Sequence, residues 1–228
     1  MNQIVTTGIV LGRIDYGEAD RILTFLTPDQ GKVRLMAKGV RRIKSKLAGG
    51  IELFSVSHIT FIRGRAEIGT LISTRLDKHY GHIVANLDRT MLGYELIRQL
   101  HKRTEDQSDA EYFEILHQVF EALDDVTVPL PIIQLWFLAQ ILRFGGHMPN
   151  LQTNDQGQAL KSSDTYDFNF ETMAFNSSGQ GRFTPDQIKF LRLVFAGHAP
   201  GALANVQGGA ELARNLVPLV EQLSYRNP

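Results

Sequence analysis

The chain of 228 residues is 43% hydrophobic and 21% charged, ordinary values for a globular protein that exclude wholesale disorder. It has no cysteine, which excludes disulfides, thiol catalysis and any thiolate zinc site. Net charge is formally zero, yet residues 1–80 hold 13 Lys and Arg against 7 Asp and Glu, a surplus of +6 that the rest of the chain offsets with −6, which is the pattern of an anion-binding module joined to something else or of surface charges segregated by chance.

The first 80 residues read as short strands between turn signals. Val5 to Gly12 is β-branched and apolar, and Asp15-Tyr16-Gly17-Glu18 is turn chemistry. A second run, Arg21 to Thr27, ends at Pro28-Asp29-Gln30-Gly31, and Lys32 to Ala37 alternates polar with apolar residues as a half-buried strand does. Leu53 to Ile62 and Ile68 to Thr74 flank a turn at Arg63-Gly64-Arg65. Five strands at this spacing predict a small closed barrel of OB type, with Phe25 and Phe61 in its core.

After His79 the period changes to about 3.6. Leu87, Met91, Tyr94, Leu96, Ile97 and Leu100 predict the inward stripe of one helix. A second is announced by Ser108-Asp109-Ala110-Glu111 at capping-box spacing and turns Phe113, Leu116, Phe120 and Leu123 inward. A third starts near Pro129 or Pro131 and stops at Gly145-Gly146. Residues 147–183 are rich in Asn, Gln, Ser and Gly, with apolar islands at Tyr166 to Phe170 and Met173 to Phe175 that predict a β-hairpin closed near Glu171-Thr172. Two helices follow, one opened by Thr184-Pro185-Asp186-Gln187 and one from about Gly208 to Leu223. The expected class is α+β: residues 1–80 form the barrel domain and residues 81–228 a helical domain with the hairpin inserted.

No apolar run approaches the roughly 18–20 residues that span a bilayer, and the opening MNQIVTTGIVLGR has neither the basic start nor the apolar core of a secretory signal, so a cytoplasmic protein without membrane contact is expected. No phosphate-binding Gly-rich loop and no Gly-x-Ser-x-Gly elbow occurs, and no catalytic or cofactor role is expected. His79 and His82 lie three apart with no further ligand nearby and read as surface or boundary histidines rather than a metal site. Asp15, Glu18 and Asp20 read as turn formers.

The strongest chemical signal is a run of seven cations without an acid from Lys32 to Lys46: Lys32, Arg34, Lys38, Arg41, Arg42, Lys44 and Lys46. Packed so closely, they repel one another unless solvent or a polyanion screens them, and a phosphate backbone supplies charge at matching spacing. A solvated loop without ligand and a loop that meets an acidic protein remain open beside nucleic acid. Gly39 and Gly49-Gly50 are expected to keep the loop mobile. Tyr16 is the aromatic residue expected to stay exposed as a stacking surface for bases.

These blocks resemble the RecO recombination mediators of bacteria. The likeness rests on Gly8-Ile9-Val10-Leu11, on Asp15 to Ile22, on Thr27 with Gly31-Lys32, and above all on Ala37-Lys38-Gly39-Val40-Arg41-Arg42-Ile43-Lys44-Ser45-Lys46-Leu47 followed by Leu53-Phe54. It is strong over residues 4–80, fair over 84–150 and weak beyond. It implies an OB domain followed by a helical bundle, no enzymatic activity, binding of single- and double-stranded DNA, annealing of complementary strands, and cooperation with RecR to load RecA onto strands coated by single-stranded-DNA-binding protein. Lys38, Arg41, Arg42 and Lys44 match the family's basic DNA-contacting segment, with Arg34 and Lys46 next to them. The family also contacts the acidic, Phe-ending tail of single-stranded-DNA-binding protein through its helical region. Arg98, Lys102 and Arg103 beside an apolar slot at Leu100 are the residues suited to that, or they simply complement the negative end of a helix dipole. Many members hold zinc between two Cys-x-x-Cys pairs. Here Asn154-Asp155-Gln156-Gly157 and Asn176 to Gly179 stand at those places, so no metal is expected, and Phe168, Phe170, Met173 and Phe175 are expected to hold the segment by packing on the last helices.

Overall fold

In the structure, a computed structural model that describes residues 3–63, 67–104 and 110–226, β1 (Gln3–Tyr16) serves two neighbours. Its first half pairs antiparallel with β4 (Ser55–Ile62), and its second half with β2 (Asp20–Thr27). A register shift between Val10 and Gly12 marks the change of neighbour, because an extra residue in one strand bends it and tightens its twist. β3 (Gly31–Ala37) continues from β2, β5 (Gly69–His79) lies antiparallel to β4, and a short parallel pairing of Leu35 with Gly69 and Met36 with Thr70 closes the barrel in the order β1-β2-β3-β5-β4. The closing point admits no side chain: a Cβ on Gly69 would lie 2.8 Å from the Ile62 carbonyl oxygen. This is the five-stranded OB barrel that the strand spacing predicts.

Alternate residues of β3 point inward, so Val33, Leu35 and Ala37 join Leu23, Phe25, Ile59 and Phe61 in a core closed to solvent. The strands run longer than their apolar runs. Asp15 and Tyr16, expected in a turn, extend β1 and pair with Arg21 and Asp20; the tight turn follows at Gly17, whose φ of +57° suits glycine. The expected turn residues Gly64 and Arg65 lie outside the described residues.

Two compact units make up the chain, Met1–Asp125 and Val126–Pro228. Besides the barrel, the first contains α1 (Gly81–Ala85), α2 (Leu87–Arg103) and α3 (Ala110–Asp124). The five-residue α1 is too short to leave a periodic signature. In α2 the stripe differs from expectation: Leu87, Met91 and Tyr94 are exposed, while Arg89, Gly93, Leu96, Ile97 and Leu100 face inward. The cause is Phe54, buried at the end of the barrel loop and T-stacked on Tyr94 and Phe120. A Cβ on Gly93 would lie 2.5 Å from its ring, so only glycine lets the ring approach the helix there. Arg89 turns inward because its guanidinium donates to the carbonyls of Leu123 (2.9 Å) and Asp125 (3.1 Å), meeting the negative end of α3. Along α3, Leu116, Phe120 and Leu123 are buried as expected and Phe113 is half-buried. The expected capping residues Ser108 and Asp109 lie outside the described residues.

The second unit is built on α4 (Leu130–Phe144), which is buried on nearly every side from Ile132 to Leu142. Around it lie α5 (Pro185–Phe195), the short α6 (Pro200–Ala204) and α7 (Gly209–Arg226). The Thr184 and Gln187 capping box opens α5 as its sequence predicts. The hairpin is also present, as β6 (Tyr166–Asn169) and β7 (Ala174–Ser177). No helix among the described residues is long and apolar enough to cross a membrane.

Candidate nucleic-acid interface

The cationic segment leaves β3 at Ala37 and folds back on the barrel as a loop. Two apolar side chains anchor it, Val40 buried and Leu47 partly buried against the barrel core. Backbone bonds shape what lies between: Arg42 N–H donates to the Gly39 carbonyl (3.1 Å) and Ser45 N–H to the Arg42 carbonyl (3.0 Å), giving two successive turns. Gly39, at φ +66°, permits the first.

The β1–β2 turn holds this loop from outside. Asp20 accepts a hydrogen bond from Gly39 N–H at 2.7 Å, and Arg41 N–H donates to the Ala19 carbonyl at 2.9 Å. Asp15 accepts from Arg21 at 2.7 Å and lies 3.6 Å from the Arg41 guanidinium. The Arg21 hydrogen bond, aided by the charge of Arg41, holds the Asp15 carboxyl below its ordinary range. Asp15 and Asp20 are therefore loop anchors. Turn chemistry does not account for them, and no local pattern around them points to loop partners that lie 26 residues from Asp15 and 19 from Asp20. Gly50 also differs from expectation: a Cβ there would meet Thr74 at 2.6 Å, so this glycine serves close packing against β5 and adds no mobility.

The seven cations separate into two sets. Lys32 donates to the Thr104 carbonyl, Arg34 pairs with Glu67 at 2.6 Å, and Arg41 reaches Asp15 and the Gly17 carbonyl. Lys38, Arg42, Lys44 and Lys46 are exposed, and no hydrogen bond or ion pair engages their side chains among the described residues. Among the described residues nothing offsets their positive charges, which sit on one short, pinned loop and suit a ligand with several regularly spaced negative charges. Arg34 stands apart on β3. Tyr16 is exposed as expected, but successive strand residues point to opposite faces, so it stands opposite Asp15 and the Arg41 that Asp15 holds.

On α2, Arg98 forms a forked pair with Glu95 at 2.7–3.0 Å, Lys102 is exposed and Arg103 is half-buried. Leu100, expected to offer an apolar slot beside them, is fully buried in the unit's core. His82 is exposed and bound to Asp124, through its backbone N–H at 2.8 Å. A further cluster links Lys78, Tyr80, His117 and Glu121, with the Tyr80 hydroxyl donating to Glu121 at 3.1 Å. Burial and the Glu121 charge push the Tyr80 phenol far above its ordinary range, so it stays a neutral, structural donor.

In the Asn-rich segment, the two places where zinc ligands would stand come together without metal chemistry. Asp155 N–H donates to the Asn176 side-chain oxygen at 3.2 Å, and the Asn176 amide donates back to the Asp155 carboxylate at 2.9 Å. Asn154 accepts from the backbone N–H of Gln156 and Gln158. One carboxylate and two amides, already engaged with each other and the backbone, do not fit zinc, which takes thiolate and imidazole donors at structural sites. Aromatic packing supplies the interior: Phe168 and Phe175 rings lie 4.9 Å apart, and Phe175 and Phe183 5.4 Å. Gly181 lets two backbone segments touch, since a Cβ there would lie 2.3 Å from Tyr166 N. Met173, expected in this packing, sits half-buried in the hairpin turn at φ +53°.

Comparison with known proteins bears on this geometry. Residues 1–80 match the family model described as recombination protein O N terminal. Among curated proteins, the chain is 32% identical over 148 residues to the DNA repair protein RecO of Dehalococcoides mccartyi (64% of this chain, 58% of the relative). It is 29% identical over 154 residues to that of Desulfatibacillum aliphaticivorans, and 34% over 155 residues to that of an Anaeromyxobacter strain (66% of this chain, 60% of the relative in both). The matched stretch thus spans 58–60% of these relatives' length.

Proposed function

We propose that this chain, which carries the N-terminal domain of the RecO family and resembles its members in a form without the zinc-binding cysteines, is a non-enzymatic DNA-binding protein of repair and homologous recombination. The observation that carries the proposal is the pinned loop of residues 38–47, on which the side chains of Lys38, Arg42, Lys44 and Lys46 have no partner among the described residues, beside Arg41. A flexible single strand can place successive phosphates against such a loop, and release of its counterions drives the binding. Because phosphate contacts carry no sequence information, the loop suits strands of any sequence, single or double. Cations that screen two phosphate chains at once also favour their pairing, which is the physical basis for strand annealing. In the cell this activity would operate with RecR, on DNA covered by single-stranded-DNA-binding protein, to give RecA access to the strand.

The test is binding of a labelled oligonucleotide across a salt series. Affinity should fall steeply with salt, and Arg42→Ala with Lys44→Ala should flatten the log–log slope by about 1.4, which is about 0.7 for each single-strand phosphate that is no longer neutralised. Equal slopes would overturn the proposal, and tighter binding of the ribose version of the same sequence would redirect it to RNA. A strand-annealing assay with and without the single-stranded-DNA-binding protein then tests the mediator role.

A further inference from the structure

The loop carries one residue that phosphate binding does not explain. Ile43 is 104% exposed, more open to solvent than any other large apolar side chain described. The apolar residues on either side of it, Val40 and Leu47, turn inward to anchor the loop. Ile43 lies inside the second of the two turns, the one closed by Ser45 N–H on the Arg42 carbonyl at 3.0 Å, so the backbone holds it outward. Arg42 and Lys44 adjoin it directly, and Arg41 stands one residue further. An aliphatic side chain fixed at the tip of a cationic turn is solvated unfavourably in the free protein, and it anchors nothing in the fold.

We propose that Ile43 is a base-contacting wedge. The inference rests on the loop binding DNA: with the neighbouring cations on phosphates, the strand's bases lie where Ile43 projects, and its branched side chain enters between two adjacent bases and unstacks them. Aliphatic side chains perform this step in proteins that kink duplexes, because the apolar faces of two bases offer them a site shielded from water. A single strand unstacks at lower cost than a duplex, so the wedge favours single strands. It also presents the bases splayed apart, as pairing with a second strand requires.

The experiment uses the full chain and an oligonucleotide with 2-aminopurine at successive internal positions, whose fluorescence rises when the probe base unstacks. Wild type should raise the fluorescence on binding. Ile43→Ser should abolish most of that rise and weaken binding about tenfold, the scale expected when one aliphatic side chain loses part of its burial. The salt slope should not change, because no charge is removed, whereas Arg42→Ala with Lys44→Ala lowers the slope. Ile43→Met, which keeps an apolar tip, should restore the rise. If Ile43→Ser matches wild type in fluorescence and affinity while wild type shows its salt slope, the wedge is overturned and DNA binding stands. If wild type itself ignores the oligonucleotide at low salt, both fall.

Discussion

The basic loop of residues 38–47 and the Asn-rich segment of residues 147–183 are both polar and poor in regular structure, yet their side chains behave in opposite ways. In the loop, backbone bonds and two apolar anchors hold the shape, and four cations are left without partners among the described residues. In the Asn-rich segment the side chains themselves hold the shape. Asn150, Asn154 and Asn169 each accept from nearby backbone N–H groups, and Asn176 is tied to Asp155. A polar side chain engaged within the fold is structural, and one that the fold leaves unengaged is available to a ligand. Composition does not separate the two cases; the geometry of hydrogen bonding does.

Substitutions can break this contrast. The largest effect is expected for Phe175→Ala, which empties a fully buried site between Phe168 and Phe183 and should destabilise the second unit by about 3–5 kcal/mol in a denaturant melt. Asn176→Ala removes both bonds to Asp155 and should cost about 1 kcal/mol by the same measurement. No cost would mean that the aromatic cluster alone holds the segment.

Acid should act on the same segment. Hydrogen bonds from Ser163 and Ser177 hold the Asp164 carboxyl below its ordinary value of 3.8, and the backbone N–H of Arg182 does the same for Asp167. A carboxylate depressed by folding stabilises the native state above its unfolded pKa, and that stability is lost as pH falls through the lower folded value. Thermal melts followed from pH 7 downward should therefore stay level to about pH 4 and decline below it. A decline that Asp164→Asn with Asp167→Asn leaves unchanged would assign it to other carboxylates. The smallest effect is expected in the loop. Replacing Lys38, Arg42, Lys44 and Lys46 by Ala should move stability by no more than about 0.5 kcal/mol while weakening oligonucleotide binding. A large loss of stability would make these cations structural and erase the contrast.

Much of the barrel is legible from the chain because its strands announce themselves by β-branched, apolar or alternating runs, and turns such as Pro28 to Gly31 by their own residues. The hairpin and the α5 capping box are legible for the same reason. The inward face of α2 is not: Leu87, Met91 and Tyr94 make a plausible stripe, and only the position of Phe54 against Gly93 rotates the burial elsewhere. Asp15 and Asp20 likewise look like turn residues until the loop some 20 residues later folds against them.

By itself, then, the sequence determined the strand and helix inventory, the concentration of positive charge and the absence of thiolate ligands, since periodicity and composition are local properties. Tertiary structure decided which cations have no partner among the described residues, which acids pin the loop, and that Ile43 points into water. Those outcomes depend on partners distant along the chain, and no local pattern encodes them.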